Sequence, residues 1–168
     1  MNNGRPVMPD TRDYFSFYGL EQKFAIDSAQ LKQLFLEKSK EYHPDYYTAD
    51  AAAQNIAVSA TAYNNLAYKT LGAEVSRASY LLGLKSSQED KNHQLPQAFL
   101  MEMMELNEAI DEINETNRYD IEDQIQSMKS VCLDNIRQYA TEEMWNNLQM
   151  EILKWRYLER LENRTTEA

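Results

Sequence analysis

The sequence predicts an all-α protein, with an N-terminal helical hairpin flanked by short helices and a C-terminal three-helix bundle. Three observations carry that prediction. Hydrophobic residues make up 43% of the 168 residues, while the chain holds only four glycines and four prolines, few breakers for its length. Apolar residues recur at three- and four-residue spacing over long segments. Proline and short polar runs fall between those segments and not inside them. The length suits one domain or two small ones.

Taken in order, Asp27 followed by Gln30 fits a capping box that opens a helix. Leu31, Leu34, Phe35 and Tyr42 then share one face, and Lys38 lies on the same stripe, where its stem can pack while the ammonium reaches water. Pro44 disfavours helical geometry at His43, so this helix is expected to stop at Tyr42. A second helix over residues 51–71 carries a seam of Ile56, Ala60, Tyr63, Ala67 and Leu71, and Gly72 is expected to cap it. Two antiparallel helices with matching seams make a hairpin whose loop contains His43-Pro44-Asp45. A short helix over 73–84 follows. Residues 85–95 are polar and read as a linker, with His93 a solvated side chain in it.

Pro96 stands where a helix tolerates proline, at its start. Three long helices are expected from there, over 96–114, 117–139 and 141–163, forming a bundle packed beside the hairpin. The middle helix has a seam of Ile121, Ile125, Met128, Cys132 and Ile136, which turns Cys132 into a core, where a thiol behaves as a small inert hydrophobe. The chain thus divides into an extension (1–12), a first domain (13–84), a linker (85–95) and a second domain (96–165). It contains no repeat and no low-complexity segment.

Composition excludes several function classes. A net charge of -10 opposes the phosphate attraction on which nucleic-acid binding relies, and anionic membranes are disfavoured for the same reason. No apolar run approaches bilayer-spanning length. The opening twelve residues, interrupted by Pro6 and Pro9, lack the apolar core of a signal peptide. Cys132 is the single cysteine, so no internal disulfide forms. A cytoplasmic protein is expected.

Enzymatic and metal chemistry find little support. His43 and Asp45 would need a nucleophile and an oxyanion site in reach, and their loop supplies neither by sequence. A carboxylate-bridged dimetal bundle needs Glu-x-x-His pairs on facing helices, yet the last three segments contain no histidine. One cysteine cannot hold an iron–sulfur cluster, which takes several thiolates. No cofactor is expected.

Two helices instead carry an excess of apolar residues. In the helix over 96–114, Phe99, Met103, Leu106 and Ile110 share one stripe, whereas Leu100, Met101 and Met104 point elsewhere, beside Glu105, Glu108 and Glu112. In the last, Trp145, Leu148, Ile152 and Trp155 make a core stripe, with Leu153, Tyr157 and Leu161 opposite. Apolar patches bordered by acids mark protein-binding surfaces, and methionine suits such surfaces because it is flexible and polarisable. The same pattern also fits second faces that pack within a broader bundle.

His43-Pro44-Asp45 arises by chance in a chain of this length on the order of one time in a hundred. Together with Asp13-Tyr14-Phe15 through Gly19-Leu20 before it and Asn65-Leu66-Ala67-Tyr68-Lys69-Thr70-Leu71 after it, it resembles a J domain. Arg77-Ala78-Ser79-Tyr80-Leu81-Leu82 and Phe99-Leu100-Met101-Glu102 narrow the resemblance to the HscB family of iron–sulfur co-chaperones. It runs from about Asp13 to about Leu161.

The resemblance implies that His43, Pro44 and Asp45, with Lys32 and Lys40 on the preceding helix, engage a DnaK-like, HscA-type chaperone and promote its ATP hydrolysis. It further implies that Leu100, Met101, Met104, Glu105, Glu108, Glu112 and Tyr157 bind an IscU-like scaffold protein on which clusters are built. Three features depart from the family pattern. Asn107 stands where the family often has arginine, Glu37 and Glu41 interrupt the basic face, and Tyr46-Tyr47 follows the tripeptide where many J domains have lysine. Two further readings are a J-domain co-chaperone for a different client and a helical interaction module without a chaperone partner.

Overall fold

The computed structural model describes Pro6 and residues 9–85 and 94–167. The expected solvated His93, most of the polar linker and much of the N-terminal extension lie outside the described residues. The order of elements is α1 (Tyr14–Tyr18), α2 (Ser28–Glu41), a 3-10 turn (Pro44–Tyr47), α3 (Ala51–Gly72), α4 (Glu74–Lys85), α5 (Gln97–Asp111), α6 (Arg118–Thr141) and α7 (Trp145–Glu167). The described residues contain no strand. Two compact units result, Met1–Leu81 and Leu82–Ala168. No described helix is long and apolar enough to cross a membrane.

In the first unit, side chains start each helix. Asp13 caps α1, accepting from the Ser16 amide at 2.9 Å, the Ser16 hydroxyl at 2.7 Å and the Gln22 amide group at 3.1 Å. Burial works against this carboxylate, but those bonds outweigh it and hold its pKa below the usual range. Gly19 ends α1 at φ 66, a left-handed geometry that glycine adopts without cost. Asp27 caps α2 by accepting from Ala29 N at 2.8 Å and Gln30 N at 3.3 Å.

The α3 seam differs from expectation. Ala60, Ala67 and Leu71 are buried as predicted, but Ile56 and Tyr63 are only half-buried, while Ala53, Ala57 and Asn64 complete the inner face. Small residues on α3 leave room for bulk from elsewhere: Phe15, Phe17 and Tyr18 of α1, Leu31 and Tyr42. Asn64 belongs inside because Tyr18 Oη donates to its Oδ1 at 2.7 Å, and its own amide group donates to Phe35 O at 3.1 Å and Ser39 Oγ at 3.0 Å.

Gly72 is not the cap predicted for α3. It is the last helical residue, and Ala73 follows with φ -96 and ψ 127. The buried Arg77 guanidinium donates to the Leu71 carbonyl and lies 4.9 Å over the Phe24 ring, so a side chain satisfies the helix end and no left-handed residue is required. Lys38 behaves as its stripe position predicts, with its ammonium 5.5 Å from the Tyr42 ring centre and 2.9 Å from a Glu41 oxygen.

The second unit is a three-helix bundle. Met103, Leu106 and Ile110 of α5 meet Ile121, Ile125, Cys132, Ile136 and Ala140 of α6 and the inner face of α7. Each such aliphatic side chain contributes about 1.5–3 kcal/mol on burial. The α6–α7 turn comes later than expected because α6 runs through Thr141 and the chain reverses at Glu143, which takes φ 57. The inner face of α7 also differs. Leu161, predicted opposite the core, is buried with Leu158, Glu151 and Thr165, while Trp145 and Trp155 are half-buried. The reason is that α7 contacts both α5 and α6, so its buried arc is wider than one stripe.

Candidate functional site

The loop after α2 is held by hydroxyls. Tyr47 Oη donates to Glu41 O at 2.7 Å, and Thr61 Oγ1 donates to Tyr42 O at 2.9 Å. Both acceptors are carbonyls at a helix C-terminus that have no partner within the helix. His43 takes the extended geometry that a following proline favours, φ -67 and ψ 120. Its Nδ1 accepts from Asp45 N at 3.3 Å and sits 3.7 Å from Asp45 Oδ2. With Nδ1 accepting, the neutral ring carries its hydrogen on Nε2. The His43 and Asp45 side chains remain 51% and 82% exposed, so their polar atoms are available to a partner. The His43 ring also rests against that of Tyr46, centroids 5.4 Å apart.

Lys32 and Lys40 are both exposed on α2, and with Leu36 between them they border a shallow groove together with Ala29, Gln33 and Glu37. The acids that interrupt this face are partly occupied. Glu37 accepts from Gln33 Nε2 at 2.8 Å, and Glu41 pairs with Lys38. Neither Lys32 nor Lys40 pairs with a carboxylate among the described residues.

On α5, Leu100, Met101 and Met104 are exposed, with Met104 at 62%, and Glu105, Glu108 and Glu112 are exposed beside them. Tyr157 is half-buried, its ring edge-on to Phe99 at 6.1 Å and beneath the Arg160 guanidinium at 4.8 Å. Asn107 does not leave its position without positive charge. Arg164 reaches it from α7, one N–H donating to Asn107 Oδ1 and another to Asp111 Oδ1 at 2.5 Å. Sequence reasoning missed Arg164 because it ended the last helix at Asn163; only the continuation of α7 to Glu167 brings the guanidinium to α5.

Cys132 takes no part in either surface. Its thiol donates to Glu151 O at 3.2 Å, and burial foremost, with Glu151 beside it, pushes its pKa up to about 12. Such a thiol stays protonated and unreactive at neutral pH. Among the described residues no group of His, Cys, Asp and Glu is arranged to hold a metal ion.

Residues 95–166 match the family described as the HSCB C-terminal oligomerisation domain. The chain is 36% identical over 135 residues to a co-chaperone protein HscB homolog of Chromobacterium violaceum, covering 78% of this chain and 74% of that protein. It is 29% identical over 161 residues to the iron-sulfur cluster co-chaperone protein HscB of Homo sapiens, covering 93% of this chain and 68% of the human protein. The crystal structure of human co-chaperone protein HscB superposes with a TM-score of 0.82 at 27% identity, over 97% of this chain and 84% of that one.

Proposed function

The chain belongs to the HscB family of co-chaperones, and from that premise we propose that it is an adaptor in iron–sulfur cluster biogenesis. It holds an IscU-like scaffold protein on α5 and α7 and delivers it to a DnaK-like, HscA-type chaperone. The turn carrying His43, Pro44 and Asp45 docks on the chaperone and stimulates its ATPase. The protein makes and breaks no bond itself, and it works in the cytosol.

The observation that carries this reading is the His43–Asp45 turn, tied to the end of α2 by Tyr47 and Thr61 while its two polar side chains stay in solvent. A fixed, exposed pair of this kind acts by binding one conformation of a partner better than another, which shifts the partner's equilibrium toward the favoured state. Here that state is the chaperone's hydrolysing conformation. Lys32, Leu36 and Lys40 extend the contact along α2. Leu100, Met101, Met104 and Tyr157 supply apolar area to the scaffold, and Glu105, Glu108 and Glu112 favour basic groups on it. Electrostatic complementarity of this sort governs on-rate and partner choice more than total affinity.

Single-turnover ATP hydrolysis by the cognate chaperone tests the proposal, with this protein or its His43→Gln variant, each with and without scaffold. The expected result is stimulation that requires His43 and rises further with scaffold. Stimulation indifferent to scaffold would remove the adaptor role, and no stimulation by the intact protein would remove the co-chaperone role. His43→Gln should melt as the parent does, because the side chain is exposed.

A further inference from the structure

We propose that Arg164 is a specificity-determining contact of the α5 face and that it receives a carboxylate from the docked scaffold; this rests on the scaffold-binding reading above. Residues 97–112, which are α5 and its C-cap, contain no lysine, arginine or histidine, while Glu105, Glu108, Asp111 and Glu112 crowd their C-terminal half. Acids at that end oppose the helix dipole, so the face is strongly negative and is poorly explained by the stability of α5 alone. Into its C-terminal half α7 extends the Arg164 guanidinium, anchored at Asn107 and Asp111.

Stability does not account for this anchoring either. The Arg164 and Asp111 side chains are 43% and 67% exposed, and exposed ion pairs contribute about 0–1 kcal/mol. What two anchors achieve is a fixed guanidinium plane. Asn107 lies three residues after Met104 and seven after Leu100, and Asp111 lies seven after Met104, spacings that share one helix face. Arg164 is therefore held on the flank of the exposed apolar patch. Two of its five N–H donors are engaged, and the remaining donors have no partner among the described residues.

A surface that is negative throughout accepts any basic partner. A fixed positive point at a set distance from the apolar anchors demands a carboxylate at one place on an otherwise basic partner surface and penalises partners that lack it. Such a reversal of charge fixes docking register and selects among partners. A planar, preorganised guanidinium is suited to it, because it can present two parallel N–H groups to one carboxylate. Lysine cannot reproduce that geometry.

The test is calorimetric titration of the full chain with its IscU-like scaffold protein, alongside thermal unfolding. Arg164→Ala and Arg164→Lys are each expected to weaken binding about tenfold, the loss of one charge-assisted interface contact, with an unchanged melting temperature. Arg164→Glu is expected to weaken it further. Replacing surface carboxylates of the scaffold with lysine one at a time should yield one variant that restores binding to Arg164→Glu, which a purely structural link between α7 and α5 would not allow. Parent-like affinity of Arg164→Ala, or no rescuing partner for Arg164→Glu, would overturn the proposal. The triple variant Leu100→Ala, Met101→Ala, Tyr157→Ala separates the two readings. If it loses binding while Arg164→Ala does not, the scaffold site stands and the role of Arg164 falls. If the triple variant binds as the parent does, the site itself is misplaced and the proposal falls with it.

Discussion

Tyr47 Oη donates to the main-chain carbonyl of Glu41 across 2.7 Å, so the last residue of the 3-10 turn closes back onto the helix that precedes it. A lysine at this position would extend the basic face, whereas tyrosine substitutes a fixed turn for a charge. Tyr47→Phe keeps the ring and removes the bond, at a cost of about 1 kcal/mol. We expect circular dichroism of this variant to match the parent while its stimulation of chaperone ATP hydrolysis falls at saturating protein. Full stimulation would mean that Thr61 and Pro44 hold the turn unaided.

Asn64 is 1% exposed and joins three elements through Tyr18, Phe35 and Ser39. Asn64→Ala leaves the buried Tyr18 hydroxyl without its side-chain acceptor and is expected to cost about 1–3 kcal/mol in urea unfolding. Because the two residues share a bond, Asn64→Ala combined with Tyr18→Phe should destabilise less than the sum of the single changes. Strict additivity would contradict the network.

Leu161 and Leu100 look equivalent as leucines on amphipathic helices, yet one is 2% and the other 40% exposed. Leu161→Ala should lower unfolding free energy by about 2–5 kcal/mol. Leu100→Ala should change it by less than about 0.5 kcal/mol. Equal effects in chemical denaturation would place the core boundary of α7 elsewhere.

The Cys132 thiol has a folded-state pKa of about 12, raised from 9.0. A group whose pKa is raised on folding adds stability that is complete below its unfolded value and is lost as pH rises toward the folded one. Stability should therefore decline between about pH 9 and pH 12, overlapping above pH 10.0 with the window of Tyr42 and Tyr63, which burial pushes from 10.0 up to about 12. Cys132→Ala should make that decline shallower without abolishing it. Labelling of the parent by iodoacetamide at pH 8 should be slow and accelerate only in denaturant. Rapid labelling of the native protein would contradict the burial.

Much of this protein is written in local chemistry. Asp27 before an apolar-periodic segment, Pro44 after Tyr42 and Pro96 before the fifth helix place helix ends because capping and proline sterics act within a few residues. The excess of Leu100, Met101 and Met104 over what α5 can bury is legible for the same reason, since three- and four-residue spacing alone assigns a helix face.

Only the tertiary structure decided the rest. Gly72 lost its capping role because Arg77, six residues past Leu71 on the next helix, turns back to satisfy the Leu71 carbonyl. Leu161 turned inward because α7 is covered by two helices. Asn64 became a core residue because Tyr18, 46 positions away in sequence, needed an acceptor. Arg164 gained its place beside Asn107 and Asp111 across a separation of more than fifty residues. Periodicity reports what one helix offers, whereas partners for buried polar groups and the width of a buried arc depend on which helices meet.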